Sequence, residues 1–124
     1  MARVLVLSAD LMFGSRLLAA LTTAGHEVNL VGDEGGLRER LPVGGKGSGS
    51  VLIVDLTDDR NDGAATLETL RSEGRVGSVA TLAFYSHIET EVRERAERAG
   101  FDLVVPRSRM AREAANLLGT LRAI

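Results

Sequence analysis

The residues best placed to do chemistry lie in one stretch, residues 51–63 (VLIVDLTDDRNDG). A short apolar run, Val51-Leu52-Ile53-Val54, delivers one carboxylate, Asp55, and then gives way to an acidic loop. An unbroken apolar run of that length, bounded by Ser50 and a polar stretch, reads as a fully buried strand of a parallel sheet. In open α/β sheets the ligand or reaction site lies beyond the carboxyl ends of the strands, which is where Asp55 falls. What Asp55 can do depends on which other side chains reach the same edge. Asp58 and Asp59, in the loop that follows, are candidates to bring a further carboxylate to a displaced metal. The simpler expectation is that they solvate the loop, since acidic residues ordinarily sit on surface loops.

The elements that must position Asp55 are readable along the chain. Residues 4–7 (VLVL) form a first apolar strand, followed by Asp10 as the N-cap of a helix over residues 11–24 that Gly25 stops. Residues 26–31 read as a second strand with Val28, Leu30 and Val31 as its apolar content. Residues 37–41 can make about one helical turn before Pro42, and residues 44–50 (GGKGSGS) read as a mobile loop. Residues 51–55 are the third strand and 64–72 a short helix carrying Leu67 and Leu70, with Gly74 at its end. Residues 79–84 are the fourth strand. Ser86 and Glu89 fit a capping box for a charged helix running to Ala99, with Ile88, Val92 and Ala96 at i+4 spacing. Gly100 stops that helix, residues 102–105 are the fifth strand, and Ser108 caps a last helix. Its apolar stripe is Met110, Ala114, Leu117, Leu118 and Leu121. Strands alternating with helices predict an α/β fold: one parallel sheet, doubly wound, with helices on both faces. A single domain spanning residues 1–124 is expected.

Composition narrows the function. With 124 residues, 44% hydrophobic and 26% charged, the chain can bury a real core, and its net charge of -2 gives no bulk attraction for nucleic acid or an anionic membrane. There is no cysteine, so disulfides and thiolate metal sites are excluded. His26 and His87 are far apart and suggest no metal cluster, and no Ser/His/Asp set assembles around them. No apolar run approaches the roughly 20 residues that span a bilayer. The N-terminal run is better explained as a strand than as a signal-peptide core. A soluble, cytoplasmic protein is expected.

The pattern resembles the receiver domain of bacterial two-component response regulators, the flavodoxin-like, CheY-like three-layer α/β/α fold. The resemblance spans nearly the whole chain. Asp55 matches the phosphoacceptor ending strand three, Asp62-Gly63 the Asp-Gly pair that follows, and Ala99-Gly100 the Ala-Gly before strand five. The ungapped register then places Tyr85 at the Thr/Ser position and Arg107 at the Lys position. The two acidic residues that hold Mg²⁺ in receivers fall at Ser8 and Ala9. Ala offers no ligand and Ser a poor one, whereas hard Mg²⁺ is normally held through carboxylates. Tyr85 is bulkier than Thr, Arg107 replaces a point-like ammonium by a planar fork, and Pro106 precedes Arg107 where the family places Pro after the Lys. Only Asp55 keeps its family identity among the five positions. The resemblance therefore implies a degenerate, stand-alone pseudo-receiver: a non-enzymatic, phosphorylation-independent protein-interaction or dimerisation module in signalling, without cofactor. The alternative is a phosphorylatable switch that accepts a phosphoryl group on Asp55 with Mg²⁺ in an atypical site. For Asp55 in the degenerate case, a charge-assisted pair with Arg107 at the same sheet edge is expected.

Two nucleotide-binding readings fail on mechanism. Residues 5–32 start like a dinucleotide-binding βαβ unit, with Gly14 and Asp33, but Ser8, Ala9, Asp10 and Leu11 supply none of the early glycines. Gly45-Lys46 lacks the spacing of a phosphate loop. One helix does suggest a partner. Nine of the fourteen residues 11–24 are Leu, Met, Phe or Ala, and Arg16 is the only charge. A stripe of Leu11, Leu18 and Leu21 would face the sheet, leaving Met12, Ala19 and part of Phe13 or Leu17 outward beside Arg16. Met12, Phe13, Arg16 and Ala19 are thus the candidate interface with a protein partner or a second copy. The fourth helix, with Glu89, Glu91, Arg93, Glu94, Arg95, Glu97 and Arg98, reads as a solvated face. The family resemblance makes it a second candidate surface.

Overall fold

A computed structural model describes residues 2–41, 43, 50–58, 60–86 and 90–122. The chain alternates strand and helix throughout: β1 (Arg3–Leu7), α1 (Leu11–Thr23), β2 (Glu27–Val31), α2 (Glu34–Arg40), β3 (Ser50–Asp55), α3 (Gly63–Ser72), β4 (Ala80–Tyr85), α4 (Thr90–Ala99), β5 (Leu103–Pro106) and α5 (Arg107–Arg122). The strands form one five-stranded sheet in the order β2-β1-β3-β4-β5, and every neighbouring pair is parallel. This is the flavodoxin-like doubly wound order, whose switch point lies between β1 and β3.

The apolar strand runs are continuous because both sheet faces are covered. Alternate residues serve alternate cores. Val4, Val6, Val51, Ile53, Leu82 and Phe84 pack with Phe13, Leu17 and Leu21 of α1 and with Met110, Leu117, Leu118 and Leu121 of α5. Leu5, Leu7, Leu52, Val54 and Ala83 pack with Leu37, Leu67, Leu70, Ala96 and Phe101 on the other face. The α5 stripe is buried as its spacing predicts. Register sets Leu7 of β1 beside Val54 of β3, so Ser8, the next residue, lies level with Asp55.

Aspartates fix the phase of three helices. Asp10 accepts from the Phe13 amide, Asp33 from Gly36 and Asp62 from Ala65, each at the N-cap. At the other end, Gly25 closes α1 with φ +93°, a conformation that L side chains rarely adopt. Gly63 is required for space: a Cβ there would meet Val54 Cγ1 at 2.5 Å and Leu56 Cδ2 at 2.7 Å.

Several expectations are corrected. The second helix is a full seven residues from Glu34, since Asp33 supplies a cap that the Gly35-Gly36 pair obscures. In α1 the buried residues are Phe13, Gly14, Leu17 and Leu21, whereas Leu11 is 73% exposed. The cap at Asp10 turns the i, i+4, i+8 row starting at Phe13 onto the sheet. Phe13 therefore leaves the candidate interface, Leu11 joins it, and Met12 (81% exposed), Arg16 and Ala19 are on the outside as expected. Ser108 lies inside the first turn of α5, not at its cap, because the helix starts directly after Pro106. His26 accepts a hydrogen bond on Nδ1 from the Ala2 amide at 3.0 Å, a structural tie between β1 and β2. No helix of the described residues is long and apolar enough to cross a membrane. Residues 44–49, Asp59, and the Glu89, His87 and Ile88 positions lie outside the described residues.

Candidate functional site at the carboxyl edge of the sheet

Asp55 ends β3 with a relative exposure of 1%. A buried carboxylate must find donors or be strongly destabilised, and here all of them are neutral. Ser8 Oγ donates to Oδ2 at 2.7 Å, while the Thr57 amide and Thr57 Oγ1 donate to Oδ1 at 2.8 and 2.6 Å. Ser8 Oγ in turn accepts from the Asp10 amide at 3.1 Å. Residues 55–57 thereby make a tight aspartate turn, in which the side chain holds its own backbone two residues on. The serine at a family metal position is thus a donor to the very carboxylate it would otherwise flank.

The loop after β3 closes over this pair. Asp58 Oδ2 accepts from the Ala9 amide at 2.9 Å and from Asn61 Nδ2 at 2.8 Å, and its Oδ1 accepts from the Arg60 amide at 2.8 Å. Asn61 Nδ2 also donates to the Gly32 carbonyl at 3.0 Å. Partial burial pushes the Asp58 carboxyl up, but the Arg60 amide, the Asn61 amide and the Ala9 amide together hold it below the usual carboxylate range. The expectation that Asp58 merely solvates the loop is therefore corrected: it sews the loop to the end of β1.

Arg107 does not pair with Asp55. Its Nη2 donates to Asp10 Oδ2 at 2.9 Å, and its guanidinium carbon lies 4.4 Å from the centroid of the Phe13 ring. Phe13 packs on Phe84 of β4, with centroids 4.9 Å apart, so a column runs from the core through Phe13 to the arginine at the surface. Asp10 is already fixed as the α1 cap through Phe13, which brings its other oxygen within reach of Arg107. The Phe13 amide lowers the Asp10 carboxyl below its ordinary value; burial opposes it, and Arg107 lowers it further. The ion pair is about two-fifths exposed, so it stabilises by less than about 1 kcal/mol. Tyr85 is buried at the end of β4 and does not line the cleft above the sheet edge; the next residue, Ser86, does.

That cleft, about 890 Å³, is lined by Ala9, Asp10, Phe13 and Arg16 on one side, Thr57, Asp58 and Arg60 from the β3–α3 loop, and Ser86, Arg107, Ser108 and Ala111 on the third. Thr57, Arg60 and Ser86 went unnoticed as candidate residues. Thr57 had a usable signal, its place two residues after a strand-ending aspartate. Arg60 is the lone base in an acidic loop.

Among the described residues the donor set does not fit a magnesium ion. Ser8 and Ala9 contribute no carboxylate, Asp55 is occupied by Ser8 and Thr57, and Asp58 by three N–H groups. Among the described residues no group of three His, Cys, Asp or Glu could hold a metal ion.

No protein-family model matches the sequence, and no curated protein does. Solved structures do match in fold. The receiver domain of the sensor histidine kinase PA1611 from Pseudomonas aeruginosa, with a magnesium ion in its active-site cleft, superposes with a TM-score of 0.82 at 17% identity over 99% of this chain and 98% of that one. The chemotaxis response regulator CheY4 of Vibrio cholerae gives 0.80 at 17% identity over 98% of each chain. A response regulator from Chloroflexus aurantiacus gives 0.82 at 16% identity over 99% of this chain and 98% of that one. The fold is that of response-regulator receiver domains, as the spacing of Asp55, Asp62-Gly63 and Ala99-Gly100 predicts.

Proposed function

We propose that this receiver-fold chain is a pseudo-receiver, a phosphorylation-independent protein-interaction or dimerisation module in signalling. It works by binding, in the cytoplasm, without catalysing a reaction and without Mg²⁺. The observation that carries this reading is the state of Asp55. Its carboxylate is buried and holds three neutral donors from Ser8 and Thr57, and neither neighbouring position on the first loop carries an acid. Phosphoryl transfer to a carboxylate needs an accessible oxygen and a cation that neutralises charge on the transferring group. Both requirements are opposed by the same residues. The exposed apolar pair Leu11 and Met12, at the start of α1, supports a partner surface there.

The test is incubation of the protein and of Asp55→Asn with acetyl phosphate and Mg²⁺, followed by intact mass measurement. No adduct is expected on either. A phosphoryl adduct on the wild type alone would make the chain a phosphorylatable switch.

A further inference from the structure

The cleft above Asp55 is rich in donors and short of acceptors. Arg16, Arg60 and Arg107 reach it from three different elements, α1, the β3–α3 loop and α5, against only two lining carboxylates, Asp10 and Asp58. Those carboxylates are already in use. Asp10 accepts from Phe13 and Arg107, and Asp58 from Ala9, Arg60 and Asn61. The guanidinium groups are only partly so. Arg107 commits one Nη2, and Arg16 and Arg60 have no ion-pair partner among the described residues. A guanidinium carries five N–H donors in a planar fork suited to carboxylate or phosphate. The hydroxyls of Ser86 and Ser108 add to the supply. With the buried Asp55 counted beneath it, three arginines face three aspartates, so the cleft has no net excess of charge; what it has to spare is guanidinium N–H donors, since all three carboxylates already hold theirs.

Volume and shape narrow the occupant. About 890 Å³ falls within the range of small-molecule sites and far exceeds one phosphate ion. The Phe13 ring, held between Phe84 and the Arg107 guanidinium, gives the cleft a rigid wall. Acceptors must come from the ligand.

We propose that this cleft is a non-covalent binding site for a small organic polyanion, a molecule bearing two or more phosphate or carboxylate groups, gripped by Arg16, Arg60 and Arg107. Such binding is independent of Asp55, which lies beneath the cleft with its oxygens occupied. The ligand would bridge α1, the β3–α3 loop and α5, and so set the geometry of the α1 surface that carries Leu11 and Met12.

The experiment is an NMR titration of the ¹⁵N-labelled full chain with sodium pyrophosphate and, separately, with citrate, each against sodium chloride of matched ionic strength. Saturable shifts at the amides of Ala9, Arg16, Thr57, Arg60 and Ser108, absent with chloride, are expected for at least one anion. Which anion binds more tightly distinguishes phosphate from carboxylate recognition. Arg16→Gln and Arg60→Gln, both on exposed side chains, should each weaken that binding about tenfold, the size of one charge-assisted hydrogen bond. Absence of saturable shifts with both anions, or binding that neither substitution weakens, would overturn the proposal. The outcome is separable from that of the acetyl phosphate test: an adduct on Asp55 would sink the pseudo-receiver reading and leave anion binding in this cleft standing.

Discussion

Two sites share the carboxyl edge of this sheet and differ in almost every respect. The inner one, Ser8–Asp55–Thr57, is buried, neutral in its donors and closed on itself. The outer one, framed by Arg16, Arg60 and Arg107, is open to solvent and has donors to spare. In the receiver fold the strand-ending aspartate is the place for covalent chemistry. Here the hydrogen bonds that chemistry would require have been turned inward, where they hold loop to strand. Under the proposal above, an anion is met further out, between Arg16, Arg60 and Arg107. On the proposed reading, Asp55 serves as an acceptor of hydrogen bonds and takes no phosphoryl group.

The largest effect should come from breaking the inner site. Asp55→Ala leaves Ser8 Oγ, Thr57 Oγ1 and the Thr57 amide without their acceptor, and should destabilise the fold by about 3 kcal/mol in urea unfolding. Asp55→Asn retains an oxygen for Thr57 and turns an amide toward Ser8 Oγ, which can accept, so about 1 kcal/mol is expected. If the two variants proved equally and weakly destabilised, the inner site would not be the tie described here.

Next in size is Gly63→Ala, whose Cβ meets Val54 and Leu56 directly beneath the loop; overpacking of that kind costs about 2 kcal/mol. A melting temperature equal to wild type would show that the loop is looser than its hydrogen bonds imply.

Surface carboxylates held by charge, in the outer cleft and away from it, should respond to acid. Away from that cleft, the hydrogen bonds of Arg38 and Arg75 hold the Glu73 carboxyl down to about 2; within it, the carboxyls of Asp10 and Asp58 are lowered as well. Each folded-state value lies below its unfolded one, so each contribution is present above the unfolded value and is lost as pH falls through the folded one, which for Glu73 is about 2. Stability should be flat from neutrality to about pH 5 and decline below it, a profile that a urea series at several pH values checks. The smallest effect belongs to Met12→Glu, which at 81% exposure should change stability by less than about 0.5 kcal/mol. Loss of self-association on this substitution alone would identify α1 as a dimer surface.

Much of this was legible in the sequence, and the failures have physical causes. Continuous apolar runs at residues 4–7 and 51–54, short and rich in Val, read as strands with two covered faces, and in the structure Val4 and Val6 face one core while Leu5 and Leu7 face the other. In α1 two i+4-like rows compete, one through Leu11 and Leu18 and one through Phe13 and Leu17. The Asp10 cap on the Phe13 amide and the contact of Phe13 with Phe84 together favour the second row. Asp33 was obscured by Gly35 and Gly36, which each cost about 1 kcal/mol of helix propensity and made the segment look like loop. The Asp10–Arg107 pair joins residues 97 apart in sequence. Arg107 and Asp55 looked matched because they share a sheet edge, yet the Phe13 ring intercepts the arginine and leaves it over Asp10. Thr57 could have been found, since an aspartate followed by a hydroxyl two residues later is a turn with its own mechanism.

The most direct test of the central claim is the intact mass of the folded protein after acetyl phosphate and Mg²⁺, with Asp55→Asn as its control. The account predicts an unchanged mass for both. A phosphoryl group on the wild type and none on the variant would contradict it, because Asp55 would then have to leave Ser8 and Thr57 and turn outward to react.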